Sequence, residues 1–410
     1  VEHTDPVAAA QRVAYELLIP RAEDTDQAAV VPRGNLEALA QAGLYGLACP
    51  GPSQASGPAM RQVQEILAGA CGATYFVWAQ HHSPVRLLAA TANDGLRRRW
   101  LEPLCSGQAL AGVAFAYLRR PGPAAVTAEP VGGGWLVNGT APFVTSWGLA
   151  DLFVVVAATG DGQLVWFCLQ GRATPAVSPS APLALAVLQA TSTVQLTFDG
   201  LLVGNDDVLG VEPLAAWRGR DRLATAQPSA AAFGLAGRGC ALLAERAREA
   251  PRVGEAAAAL ADELERCRDH GYGLADTLAG GMVPLPVDAA GPGETGQGEA
   301  GPGRADPGGA VSGDTEPGDT ESGPGGRLDQ HLDDMVAARA WALDVAQRSA
   351  LALAAAVGGR AMARSHPAQR LVREAAFYAV QAQTAALRAA TLGRLSAPTT
   401  TGAGWPTPGD

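Results

Sequence analysis

From Asp5 to about Leu110, apolar residues recur at three- and four-residue spacing, as in Leu36, Leu39, Ala40 and Leu44. Breaks fall at Pro32 to Gly34 and Pro50 to Gly57. That period puts one apolar stripe on each segment and predicts a helical region, with Asn35 as an N-cap ahead of Leu36. The pattern changes at Ala111. Segments 112–116, 135–138, 152–158, 164–169 and 193–198 are β-branched and aromatic, and Gly132-Gly133-Gly134, Gly160-Asp161-Gly162 and Asp199-Gly200 between them are hairpin chemistry. With no helical crossover between most of these strands, an antiparallel sheet or small barrel is expected. Helical spacing returns after Gly210, over 223–247, 256–276, 328–357 and 367–395. Its alanine-rich faces let neighbouring axes approach closely, as an antiparallel bundle requires.

The fold class is therefore α+β and mostly α, with an N-terminal helical domain (1–110), a middle antiparallel β-sheet or barrel domain (111–212) and a C-terminal antiparallel helical bundle (213–410). One stretch, 284–326, stands apart. It is built of Gly, Pro, Ser, Thr and acids, cannot bury enough surface to offset its ordering entropy, and is expected to be a disordered loop inserted between two bundle helices.

Composition changes this picture little. The chain has 410 residues, 48% hydrophobic and 17% charged, enough for two or three cores. The net charge of -10 argues against a nucleic-acid binder. Between Gly291 and Gly326 seven carboxylates stand against the single Arg304, so the insertion holds most of the excess and the rest of the chain is nearly balanced. All the basic residues are arginine, an alanine- and glycine-rich bias from which no phosphate chemistry follows. Cys49, Cys71, Cys105, Cys168, Cys240 and Cys267 have no short pair spacing, so reduced buried thiols are expected rather than disulfides or zinc. The acids Glu2, Asp5 and Glu16 in the first stretch do not suit a signal peptide, and no run is long and apolar enough to span a bilayer. A cytoplasmic protein is expected.

Local matches then accumulate in one order. Pro32-Arg33-Gly34-Asn35-Leu36-Glu37-Ala38-Leu39 is followed by Ala42-Gly43-Leu44-Tyr45-Gly46, His82-Ser83, Gly95 to Leu104 and Ser106-Gly107. Further on come Gly134-Trp135-Leu136-Val137-Asn138-Gly139-Thr140, Phe143-Val144-Thr145-Ser146, Ala150-Asp151, and Phe198-Asp199-Gly200 to Val208-Leu209-Gly210. Gly358-Gly359 and Arg370 to Ala375 close the series. Taken together this resembles the acyl-CoA dehydrogenase family over most of the chain apart from the insertion. The resemblance implies FAD as cofactor and an acyl-CoA or other acyl thioester as substrate. The implied reaction is desaturation of the α,β bond: a base takes the α proton and the β hydrogen leaves as hydride to flavin N5.

The flavin contacts so implied fall on Phe115, Ala116, Gly122, Phe143, Val144, Thr145, Ser146 and Thr384. Thr145 matches a threonine that reaches the isoalloxazine edge, and Phe143 takes the place of a tryptophan. Segment 115–123 departs from the family. Its hydroxyls are gone, leaving backbone amides at Ala116 and Gly122, with Arg119 and Arg120 either holding the pyrophosphate or decorating a solvated turn. The family base falls on Ala382 and a second family position near Ala224, neither acidic. The nearest carboxylates are Asp221, one turn before Ala224, and Glu374, two turns before Ala382. Each has an ordinary role as well, Asp221 in a surface pair with Arg222 and Glu374 paired with arginine. His81 and His82 are adjacent on a helix and diverge by about a hundred degrees, so a shared metal site is disfavoured and packing is expected. Arg370 and Arg373, at i and i+3, are expected in salt bridges.

Three readings remain. The first is an FAD-dependent acyl thioester desaturase, a homodimer or homotetramer with an electron-transfer partner. The second is a non-catalytic subunit in a heteromer with a catalytic homologue. The third is a flavin-dependent monooxygenase of the same fold, which needs no α-proton base.

Overall fold

The computed structural model of the chain describes residues 5–248, 250–281 and 324–396. Six helices open it: α1 (Pro6–Val13), α2 (Ala22–Gln27), α3 (Arg33–Gln41), α4 (Gly57–Ala70), α5 (Gly72–Ala90) and α6 (Asp94–Ser106). Asp5, Ser56 and Asn93 side chains accept the free N–H groups of Val7, Ala59 and Leu96, which starts α1, α4 and α6. Asn35 is not the expected cap. α3 begins earlier, and the buried Asn35 amide instead donates to Thr74 Oγ1 at 3.0 Å and Thr25 Oγ1 at 3.3 Å, joining three helices.

Eight strands follow: β1 (Ala111–Ala114), β2 (Val126–Val131), β3 (Gly134–Val144), β4 (Leu152–Ala158), β5 (Gln163–Gln170), β6 (Val177–Pro179), β7 (Val194–Gly204) and β8 (Val208–Pro213). They form one sheet in the order β6-β7-β3-β2-β4-β5-β8, with β1 beside β4. The sheet is mixed rather than wholly antiparallel. β1 runs parallel to β4, Ala111 opposite Leu152, and β2 meets β4 in parallel at Thr127 and Ala158. The long excursion 115–151 lets the chain return in its original direction, which a tight hairpin cannot do. β2 alternates only over Val126–Glu129 before Pro130, β6 has three residues and β8 lacks alternation, and so they left no strand signal.

β4 positions everything around it. Phe153, Val155 and Ala157 face one core with Val165 and Phe167. Leu152, Val154 and Val156 face a second with Leu164, Trp166 and Cys168. This is the period-2 alternation of a strand buried on both faces. The second core also holds Val85 and Leu88 of α5 and Leu96 and Leu104 of α6, so the sheet is fastened to the N-terminal helices.

The chain ends in a bundle of α7 (Leu214–Ala226), α8 (Ala230–Arg246), α9 (Pro251–Gly281), α10 (Pro324–Val357), α11 (Pro367–Val380) and α12 (Ala385–Ser396). The acidic insertion expected at 284–326 lies outside the described residues, except that α10 begins at Pro324. Among the described residues no helix is long and apolar enough to cross a membrane, and no group of three His, Cys, Asp or Glu side chains is placed to hold a metal.

Cys49 and Cys105 form a disulfide with Cα atoms 6.1 Å apart, which corrects the expectation of six reduced thiols. The pairing is tertiary. The end of α6 folds over the turn at Gly46–Ala48, where the Gly46 Cα faces the Cys105 carbonyl. The other four cysteines are buried and free.

α4 and α8 are in close backbone contact at two glycines. A Cβ on Gly69 would stand 2.6 Å from the Gly234 carbonyl oxygen, and one on Gly234 would collide with the Glu65 carbonyl. Helix propensity alone favours Gly234→Ala by about 1 kcal/mol. The collision reverses the sign, and the variant is expected to lose roughly 1–3 kcal/mol in urea unfolding. A gain in stability would mean the helices do not touch there.

Candidate functional site

The end of β3 is bent. Phe143 and Ser146 hold left-handed backbone, φ 57° and 70°, where the register against β7 shifts between Ala141 and Val144. Such conformations cost non-glycine residues about 1–2 kcal/mol each and mark a position that the surroundings enforce. The bend leaves the Phe143 ring half exposed with the Arg120 guanidinium 5.5 Å above it, while Val144 is core and Thr145 turns inward.

Thr145 ends a chain of hydroxyls whose direction is fixed. Thr191 donates to the Leu188 carbonyl at 2.8 Å, so Thr193 donates to Thr191 at 3.0 Å, and Thr145 donates to Thr193 at 3.1 Å. Thr145 therefore presents only lone pairs to a ligand. Beside it the Ser146 N–H is bonded to the Thr191 carbonyl at 2.8 Å, but its buried hydroxyl has no partner. The Phe115 ring lies 5.2 Å from that of Trp166, Ala116 opens the short turn 116–119, and Gly122 has φ 106° with open space beside its Cα. Thr384 sits elsewhere, in the α11–α12 link, where its hydroxyl accepts the Leu387 N–H.

Both candidate carboxylates are engaged. Asp221 on α7 receives Arg119 in a two-pronged ion pair, Nη2 to Oδ1 at 2.6 Å and Nε to Oδ2 at 2.9 Å. Arg222 pairs instead with Asp329 at 2.7 Å, so the expected Asp221–Arg222 pair is not made. Glu374 is buried against Arg370 at 3.0 and 3.1 Å, and it fits because Gly72 has no Cβ: one there would stand 2.5 Å from its carboxylate. Burial raises the Glu374 pKa and the Arg370 charge opposes that rise. Arg370 also reaches Glu23 at 3.1 Å, and Arg373 reaches Asp26 at 2.5 Å, as the i, i+3 spacing suggested.

Ala382, the position to which the resemblance assigns a base, has φ 51°, lies between α11 and α12 and carries only a methyl group. The neighbouring Gln381 carbonyl accepts Arg339 Nη2 at 3.3 Å, and Arg339 Nη1 donates to the Thr225 carbonyl on α7 at 2.7 Å. Arg339 is 6% exposed, its Nε has no partner, and it makes no ion pair among the described residues. Burial lowers its pKa to about 10, with Arg119 pushing the same way and Tyr75 and Asp221 opposing. Sequence reasoning missed this residue. On an alanine-rich helix one arginine gives no signal, and only the tertiary position of α10 reveals it.

Residues 2–108 match the family of acyl-CoA dehydrogenase N-terminal domains. The chain is also similar to the benzylmalonyl-CoA dehydrogenase of Aromatoleum aromaticum, 25% identical over 208 residues, 49% of this chain and 55% of that protein. That match spans about half the length of the relative. Among solved structures, butyryl-CoA dehydrogenase from Megasphaera elsdenii superposes with a TM-score of 0.71 at 18% identity, covering 95% of this chain and 97% of that one. The chain has the acyl-CoA dehydrogenase fold. A dibenzothiophene monooxygenase from Paenibacillus sp. A11-2 shares the acyl-CoA dehydrogenase-like architecture, TM-score 0.68, 17% identity, covering 95% of this chain and 96% of that one.

Set in the acyl-CoA dehydrogenase fold, the bent end of β3 fits a flavin edge in part. It offers an unpartnered buried hydroxyl at Ser146, acceptor lone pairs at Thr145, an exposed aromatic face at Phe143 and an open glycine at Gly122. Arg120 makes no ion pair among the described residues and is available to a phosphate, whereas Arg119 is held by Asp221. These residues would hold FAD.

The histidines are structural. His81 Nδ1 accepts the Ala111 N–H and its Nε2–H donates to the Leu104 carbonyl, both at 3.1 Å, joining α5 to α6 and β1. Burial lowers its pKa to about 4. His82 packs on Trp78 with both ring nitrogens unpartnered. Burial holds its pKa well below the usual value, and His81 and Arg86 lower it further.

Both rings stay neutral in the folded protein while the unfolded chain binds protons near pH 6.5. Their contribution is therefore complete above that pH and is lost as pH falls toward 4. For His81 the loss amounts to roughly 3 kcal/mol. Thermal unfolding is expected to weaken across this window, and His82→Phe, which keeps the packing and removes one proton site, to weaken less. Equal slopes for the two proteins would show that His82 is not charging on unfolding.

Proposed function

We propose that the chain is an FAD-dependent oxidoreductase acting on an acyl thioester, with the flavin edge against the bent end of β3. The observation that carries this reading is that bend: a half-exposed aromatic, a buried unpartnered hydroxyl and a row of lone pairs, held together by two left-handed residues. Bound FAD would supply the hydride acceptor. Phe143 would cover one ring face, Thr145 would accept an edge N–H, Ser146 would donate, and Arg120 with the Gly122 amide would meet the phosphates.

What the chain's own residues do for the α proton is less than in a complete dehydrogenase site. Ala382 carries no acceptor, and Asp221 and Glu374 are each bonded to arginine. Those occupied carboxylates favour a second reading, that the redox step here proceeds without an α-proton base. It would then be a monooxygenation; were there no redox step here, the chain would be the non-catalytic subunit beside a catalytic homologue.

The visible spectrum of the purified protein with an anaerobic titration of acyl-CoA thioesters separates these. A yellow protein bleached by thioester supports desaturation. Bound flavin that turns over only with an external reductase and oxygen supports the monooxygenase, and a colourless protein that takes up no FAD supports the subunit. Ala382→Glu is expected to raise the rate of bleaching about 10–100-fold by restoring a base, since Arg339 beside it would keep the new carboxylate ionised. No gain with flavin and thioester both bound would mean the α proton does not face the α11–α12 link.

A further inference from the structure

The hydroxyl row behind the end of β3 is enclosed and held in place. Thr191 is 1% exposed and Thr145 and Thr193 are 5% exposed, so bulk water does not replace a partner lost within the row. Leu188 and Ser192, with φ 54° and 51°, turn the chain sharply on either side of Thr191. That turn is clamped to the bend in β3. The Ser146 N–H donates to the Thr191 carbonyl at 2.8 Å, the Trp147 N–H donates to the Ser192 carbonyl at 3.2 Å, and the Ser192 hydroxyl donates back to the Trp147 carbonyl at 2.8 Å. The three threonines therefore keep their spacing whatever lies against Thr145.

The direction of the row has an energetic consequence. Against an N–H, Thr145 accepts while every hydroxyl hydrogen stays where it is. Against a bare nitrogen, Thr145 must withdraw its hydrogen from Thr193. Even if the whole row then reverses, the Thr191 hydroxyl gives up the Leu188 carbonyl and the set is one hydrogen bond short. Ser146, whose hydroxyl is unpartnered and free to turn, carries no such preference. The isoalloxazine ring has a bare nitrogen at N5 when oxidised and an N–H there when reduced, so the two redox states meet the row unequally.

We propose that Thr191 and Thr193 are positioning residues that fix Thr145 as an acceptor, so that this end of β3 binds reduced flavin more tightly than oxidised flavin and raises the potential of the bound cofactor. The proposal rests on the flavin reading and is independent of which substrate is oxidised. Neither residue touches the ring. Both act through the hydrogen of Thr145.

The test is an anaerobic titration of the flavin-loaded protein against a redox dye, which reads the potential of the bound flavin from the two spectra. Thr193→Val removes the acceptor of the Thr145 hydrogen. Thr191→Val is the sharper variant, because Thr191 is not hydrogen-bonded to Thr145 and the Leu188 carbonyl keeps the Thr191 N–H at 3.0 Å. It lets Thr193 donate to Thr145 and so frees Thr145 to donate in turn. Each variant is expected to erase a preference worth one hydrogen bond, about fivefold in the ratio of the two affinities. For a two-electron couple that is a fall in potential of about 20 mV. Thr193→Ser, which retains the hydroxyl, is expected to hold the potential of the natural chain. An unchanged or higher potential in both valine variants overturns the proposal, as does an equal fall in Thr193→Ser. A fall confined to Thr193→Val overturns the relay through Thr191. Equal weakening of both flavin forms marks a merely structural role and leaves the potential in place, which also overturns it. A natural chain that takes up no FAD overturns the flavin reading and this proposal together, whereas flavin uptake with unmoved potentials overturns this proposal alone.

Discussion

One guanidinium ties the candidate site together. The last carbonyls of a helix have no intrahelical donor. Two such ends, Thr225 on α7 and Gln381 after α11, are satisfied by the same side chain, Arg339 from α10. The wall of the site nearest Ala382 is therefore made from three sequence-distant helices held at one point. The geometry of this wall comes from backbone carbonyls and not from the side chain at Ala382.

The ionic core beneath it works differently. Arg370, Glu374, Glu23, Arg373 and Asp26 lock α11 to α2, and Glu374 reaches Arg370 only because α5 begins with Gly72. A fully buried pair contributes little net stability, yet it is unforgiving if one partner is removed. The Glu374 carboxylate is committed to this pair. Its proton affinity is raised by burial, but every oxygen is turned to the arginine.

Much of the architecture was legible because its signals are local. Helical spacing, glycine hairpins and the β-branched runs of β4 and β5 each act within a few residues. The parallel pairing of β1 with β4 was not, because it depends on where an excursion of some forty residues returns. Val126–Val131, broken by Pro130, and the short Val177–Pro179 and Val208–Pro213 carry too brief an alternation to be seen as strands. At the candidate site, the resemblance pointed to Phe143 to Ser146, but the hydroxyl partner of Thr145 lies far along the chain at Thr193, itself bonded to Thr191. The Cys49–Cys105 disulfide and the turned-in Asn35 were hidden for the same reason, being contacts between segments that sequence spacing does not relate.

The row of threonines has a polarity. Its direction is set at the Leu188 carbonyl and passed through Thr191 and Thr193 to Thr145, so the whole row reads as an oriented dipole with its negative end at Thr145. A ring nitrogen bearing hydrogen meets it without any change. A bare nitrogen requires Thr145 to let go of Thr193, which leaves a buried oxygen underbonded. A ring lying against Thr145 would thus be sorted by its protonation state, through three neutral side-chain hydroxyls and no ionisable group.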